Sequence, residues 1–148
     1  MDPAERFHDN PNGIISDKKF NLSWLPKDSK LDIGKWCTWE EARGYARTMN
    51  SCYPGGFADY RLPTKEEGLN LFDKEYTNFD IEGETIHIHQ VFVPKGIYYL
   101  WTSEVNEEGK ALRVNLRDGT TEFVDKLTRD LHGTKLVRTG EIKPRPPL

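Results

Sequence analysis

This 148-residue chain contains no long apolar run. Nothing in it approaches the ~18 consecutive apolar residues of a membrane-spanning helix, so no membrane partner is expected. Met1-Asp2-Pro3-Ala4-Glu5 lacks the basic and apolar regions of a secretory signal. As it stands the sequence predicts a cytoplasmic protein. A trimmed leader would make it extracytoplasmic or cell-surface. Blocks of like charge are also missing. Lys and Arg total 21 against 24 Asp and Glu, for a net charge of −3, with the signs mixed along the chain. Nucleic acid is therefore not an expected partner, since phosphate binding draws on clustered cations. There is no glycine-rich phosphate loop, serine-nucleophile elbow or paired-carboxylate motif, and a non-enzymatic protein without cofactor is expected. Cysteine is scarce. Cys37 and Cys52 bracket a predicted helix at 39–50 that would hold them roughly 18 Å apart. A disulfide needs Cα atoms within about 7 Å, so two free thiols are expected, as in a reducing compartment.

Aromatic residues make up 11% of the chain, enough to anchor a core although only 36% of residues are apolar. Asp9-Asn10-Pro11-Asn12-Gly13 predicts a turn in an opening hairpin. Phe20, Leu22 and Trp24 alternate with polar residues and predict a half-buried strand. Pro26 to Gly34 reads as a polar loop. Thr38-Trp39-Glu40-Glu41 and Thr64-Lys65-Glu66-Glu67 share one helix-start grammar, in which a threonine caps the helix and a glutamate three residues on reaches back. The first helix buries Ala42, Tyr45, Ala46 and Met49, with Arg43 and Arg47 on its solvent side. The second spans about 65–75, and Gly68 inside it suggests close packing against a neighbour. Residues 97–103 read as a central strand buried on both faces. Leu112, Val114 and Leu116 alternate along the next, with Leu112 facing inward. Asp118-Gly119 turns the chain into a strand at 121–124, and 135–138 is the last short strand. Residues 1–140 form one domain. Residues 141–148, with three prolines, predict a mobile, extended tail.

The run Asp59-Tyr60-Arg61-Leu62-Pro63-Thr64, with Glu67, resembles the Asp-Trp-Arg-Leu-Pro-Thr core of the bacterial family known as domain of unknown function 1566. That family is also described as the C-terminal domain of a Legionella collagen-like adhesin. Arg6-Phe7, Trp24, Thr38-Trp39-Glu40-Glu41-Ala42, Leu100-Trp101-Thr102-Ser103 and Val137-Arg138 are similar to its other landmarks. Tyr60, Leu100 and Leu112 depart from it, and 77–96 looks private to this chain. The resemblance implies an α+β, C-type-lectin-like fold with two helices packed on one twisted antiparallel sheet and long loops. It also implies a binding surface, because such folds host many ligands. Trp39, Asp59, Arg61, Pro63, Thr64, Glu67, Trp101 and Arg138 are read as its structural motif. Glu67 would close the cap at Thr64 and Arg61 would hold a carboxylate or loop carbonyls.

A protein partner is the leading expectation. The long segment 77–96 falls outside the helix stripes and alternating strands. Tyr76, Phe79, Ile81, His87, His89 and Phe92 are therefore the expected partner-binding residues, since interface energy concentrates in a few aromatic anchors with a polar rim. The second reading is a surface adhesin for acidic glycans, served by a basic patch of Arg113, Arg117, Lys126, Arg129 and Lys135. The third is a metal- or copper-dependent enzyme related to the formylglycine-generating enzymes. His87 and His89 share a strand face, but Glu84 or His132 as a third ligand has no diagnostic spacing. No metal is expected there. Nor is calcium expected at Asp9–Gly13, where Pro11 interrupts the alternation of ligands.

Overall fold

The computed structural model describes residues 6–140. The expected mobile tail at 141–148 lies outside the described residues. Three short strands open the chain: β1 (Phe7–Asp9), β2 (Ile15–Asp17) and β3 (Leu22–Trp24). Asn10 turns β1 into β2 by donating its amide to the Ile14 carbonyl at 2.8 Å. The final strand, β10 (Val137–Thr139), returns to pair beside β3, giving an antiparallel sheet in the order β1-β2-β3-β10. β3 is buried on both faces, Ser23 included, where alternation predicts half-burial.

Three α-helices are described, α1 (Ser29–Ile33), α2 (Trp39–Cys52) and α3 (Lys65–Leu71). α1 lies in the segment expected to be a loop. Asp28 caps it by accepting from the Leu31 N–H at 3.0 Å, and Gly34 closes it at φ 76°. α2 and α3 both carry the full reciprocal capping box. α3 stops at Leu71, four residues before the expected end. Phe72 is already extended, and Asp73 accepts from the Glu75 N–H at 2.9 Å in a turn that competes with the helix. Gly68 explains how α3 sits so close to the sheet. A β-carbon there would lie 3.2 Å from Val114 Cγ2 and 3.4 Å from Leu100 Cδ2.

A small pair, β4 (Asn78–Phe79) with β5 (Thr85–Ile86), precedes the second large sheet. That sheet comprises β6 (Tyr99–Val105), β7 (Ala111–Asn115), β8 (Thr121–Val124) and β9 (His132–Gly133) in the order β8-β7-β6-β9. Thus there are two four-stranded sheets where one antiparallel sheet is expected, and β9 runs parallel to β6. The parallel contact is only two residues long, too short to leave a periodic signature.

The core has two lobes. One joins Trp24, Leu71, Phe92, Leu100, Val114 and Val137 between the sheets and α3. The other gathers Trp39, Ala42, Tyr45, Tyr60, Leu62 and Trp101 around α2. Each large side chain so buried contributes roughly 1.5–3 kcal/mol.

The first lobe corrects the expected partner surface. Tyr76 is 6% exposed and Phe92 is 0% exposed, so neither is available to a partner. Both meet the Phe7 ring edge to face, with centroids 6.1 and 5.5 Å from it. Ile86 and Ile88, which alternate with the two histidines, are buried in the same lobe. The segment supplies core without regular strand hydrogen bonding, which is why residue patterning misplaces it. Cys37 is buried, Cys52 is exposed, and they are unbridged.

Candidate binding groove

α2 carries two faces of different chemistry. Trp39, Ala42, Tyr45 and Ala46 go inward, while Glu40, Arg43 and Arg47 project outward. Trp39 is fixed by its indole N–H, which donates to the Thr102 carbonyl at 2.9 Å. Trp101 donates to the Cys37 carbonyl at 2.9 Å, locking β6 to the approach to α2.

The facing wall is residues 60–64. Asn50, near the end of α2, clamps Tyr60 in both directions: its amide donates to the Tyr60 carbonyl and its oxygen accepts from the Tyr60 N–H, each at 2.9 Å. The Tyr60 hydroxyl donates to the Pro54 carbonyl at 2.7 Å, tying down the glycine-rich connector. Arg61 exchanges backbone bonds with Val137 at 2.9 and 3.0 Å, so the wall is stitched to β10. At its far end Ser103 N–H donates to the Pro63 carbonyl at 2.8 Å. Pro63 favours an extended residue before it, which sets up the turn into the Thr64 cap.

Arg61 and Glu67 form a two-pronged pair at 2.6 and 2.9 Å, and Arg61 also donates to Thr139 Oγ1 at 3.0 Å. Glu67 accepts the Thr64 N–H at 2.9 Å as well. Burial works to raise the Glu67 pKa, but the Arg61 and Thr64 bonds outweigh it and the net shift is downward. Beside them Arg138 pairs with Asp59 at 2.6 Å and lies over the Phe57 ring at 3.8 Å.

Between these walls lies a groove of about 650 Å³. Trp39, Ala46, Tyr60 and Leu62 line it with apolar surface, and Arg43, Arg47 and Arg61 line it with cations. Arg61 is neutralised by Glu67, and Arg43 is loosely paired with Glu40 at 3.3 Å. Arg47 is exposed and, among the described residues, has no ion-pair or hydrogen-bond partner. None of the lining residues is His, Cys, Asp, Glu or Lys.

Of the motif residues, Trp39, Arg61 and Thr64 line the groove, while Asp59, Pro63, Glu67, Trp101 and Arg138 buttress it. The expected partner-binding set contains none of the groove's lining residues, Arg43 and Arg47 included. For Arg47 the sequence carries a signal: at three and four residues from it stand Arg43, Gly44, Asn50 and Ser51, none able to form an ion pair with it.

The expected loop-surface residues do not gather here. Phe79 and Ile81 are 47% and 44% exposed on the β4–β5 hairpin. His87 is half-buried, packs against Phe72 and directs Nδ1 to the Tyr76 carbonyl at 3.0 Å. His89 lies against Phe7 and Tyr76, and its Nδ1 accepts from the Val91 N–H at 2.9 Å. No group of three His, Cys, Asp or Glu placed to hold a metal occurs among the described residues.

The expected basic patch dissolves. Arg117 pairs with Asp80 and Glu82, each at 2.7 Å. Arg113 pairs with Glu122 and Arg129 with Glu41. Lys135 is 1% exposed and faces the equally buried Asp28 at 3.9 Å. Of the five, only Lys126 has no ion pair among the described residues, and its ammonium lies 4.5 Å from the Trp39 ring centroid.

No helix among the described residues is long and apolar enough to cross a membrane. The model of one protein family, the Lcl C-terminal domain, matches residues 13–138, and the chain belongs to that family. No curated protein and no solved structure matches it.

Proposed function

We propose that this member of the Lcl C-terminal domain family is a non-catalytic binding module that holds an anionic partner in the groove between α2 and residues 60–64. The observation that carries this reading is Arg47: an unpaired guanidinium on α2, beside buried apolar surface and across from a wall fixed by Asn50. The groove lining holds the hydroxyls of Thr64 and Ser103 but no His, Asp, Glu or Lys to activate them, which supports binding over catalysis. We also assign the domain to the C-type-lectin-like kind. Its first three strands and its last described strand share one sheet, and the largely irregular 78–97 connection is in keeping with the long loops that the resemblance implies. The family's adhesin association favours a role at the cell surface, with the protein acting in attachment.

A second reading places a protein partner on the β4–β5 hairpin, where Phe79 and Ile81 are exposed side by side with Glu82 and Glu84. Amide NMR separates the two. Titrating the labelled domain with poly-L-glutamate and with heparin, in turn, should shift the amides of Arg47, Thr64 and Ser103. Shifts confined to 78–86 would favour the hairpin, and shifts in neither place would sink the groove reading.

A further inference from the structure

Resting on the groove reading, the chemistry of its lining discriminates among anionic ligands. A sugar ring is usually held by an open aromatic face and by acceptors for its hydroxyls. The groove offers no open ring and, beyond the exposed Ser103 hydroxyl, little to accept from a sugar. Trp39 is 7% exposed, and the cations of Arg43 and Lys126 lie over its ring at 5.1 and 4.5 Å. Tyr60 is 3% exposed, and its hydroxyl proton is committed to Pro54. The Asn50 side chain spends both its oxygen and its amide on the Tyr60 backbone. The Glu67 carboxylate is taken by Arg61 and by the Thr64 cap.

What remains open to grip a charge is one unpaired guanidinium, Arg47, next to Arg43, whose bond to Glu40 is exposed and easily exchanged. Behind them lies the apolar strip of Ala46 and Leu62. A guanidinium fork suits a carboxylate, which it grips with two parallel N–H donors. The strip suits an aliphatic or aromatic side chain beside that carboxylate. We infer that the occupant is a peptide segment of a protein partner that presents an Asp or Glu carboxylate next to an apolar residue. Arg47 is the anchor for the carboxylate, and the Ala46–Leu62 strip receives the neighbouring side chain.

The test is selection of phage-displayed random heptapeptides on the immobilised full-length chain, followed by calorimetry with the enriched peptides as free ligands. Peptides joining Asp or Glu to Leu, Ile or Phe should be enriched. Replacing the acidic residue by its amide should weaken binding about tenfold or more. Arg47→Glu should do the same, while Arg47→Lys should keep only part of the affinity. Arg47 is exposed, so these variants fold, and a circular dichroism melt identifies any that does not. Three outcomes overturn the inference: no enrichment, enrichment of peptides without a carboxylate, or affinity indifferent to Arg47→Glu. Heparin that binds in an Arg47-dependent way while no peptide does would leave the groove standing and remove the peptide. If neither binds, the groove reading itself falls.

Discussion

Two groups of arginines on this domain have the same side chain and opposite circumstances. Beside the β6–β7 pair, Arg113 and Arg117 lie over Tyr99 and Tyr98, at 3.8 and 3.7 Å from the ring centroids, and both are held by carboxylates. In the groove, Arg43 and Arg47 stand on a helix face with one exposed glutamate between them. The difference lies in the supply of acids, since the β4–β5 hairpin delivers Asp80 and Glu82 to Arg117 from 35 residues or more away in sequence. A cation that finds a partner becomes a structural bolt, and one that finds none is left for a ligand. Each prediction below removes one side of this contrast.

The largest effect is expected at the bolt. Asp80 is 1% exposed and binds Arg117 Nε at 2.7 Å while also accepting the Glu82 and Glu84 N–H groups at 2.9 and 3.1 Å. Asp80→Ala removes the turn's acceptor and half of the Arg117 clamp together. A loss of about 3–4 kcal/mol is expected, read as a lower urea midpoint with unchanged slope. A loss under about 1 kcal/mol would mean that the ion pair is ornamental and that the two arginine groups do not differ as argued.

The second effect is a pH dependence next to Arg113. His132 is stacked between Tyr99 and Trp101, with Nδ1 facing the Asp130 carbonyl and Nε2 3.0 Å from Arg113 Nη1. Burial, chiefly, holds its pKa down at about 4, and the Arg113 charge adds to this. The unfolded chain then binds a proton below about 6.5 that the folded one refuses. Stability is therefore full above pH 6.5 and falls as the pH drops to about 4, by on the order of 2–3 kcal/mol. Urea midpoints across that window test it, and His132→Gln should flatten the slope whatever it does to the plateau.

How much of this was legible in the sequence follows from what kind of bond each feature uses. Both capping boxes, the Asp118-Gly119 hairpin and the close approach at Gly68 are set by residues near one another or by a single missing side chain, and all were readable. The Thr38 and Thr64 boxes form with the reciprocal bonds their spacing implies. The burial of Tyr76 and Phe92 was not readable, because an irregular segment has no period to betray which residues face inward. Helix α1 was overlooked although Asp28 and Gly34 mark its ends, since five residues give too short a stripe. The basic patch failed for a different reason: ion pairs such as Arg117 with Asp80 depend on a fold that brings distant segments together.

The third prediction tests Arg61, which belongs to both groups. It lines the groove, yet Glu67 and Thr139 hold it as firmly as Asp80 and Glu82 hold Arg117. Arg61→Ala should lower stability by about 1–3 kcal/mol by stripping Glu67 of its partner. Arg61→Lys should recover only part, since an ammonium cannot reproduce the fork. An unchanged melting temperature for Arg61→Ala would reassign Arg61 to the ligand-facing group.

The smallest effect is expected at Arg47. Its side chain is exposed and makes no ion pair, so the folded state gains little from it. Its aliphatic stem covers some of α2, and alanine is the better helix former. These terms oppose one another, and Arg47→Ala should change stability by no more than about 0.5 kcal/mol in either direction. The same substitution in the groove should abolish the amide shifts produced by an anionic titrant. A residue that matters to binding but not to folding is what separates this arginine from Arg117, whose loss would be felt in stability alone. Should Arg47→Ala cost more than about 1 kcal/mol, a partner within the fold must hold it, and the open guanidinium on which the groove depends would not exist.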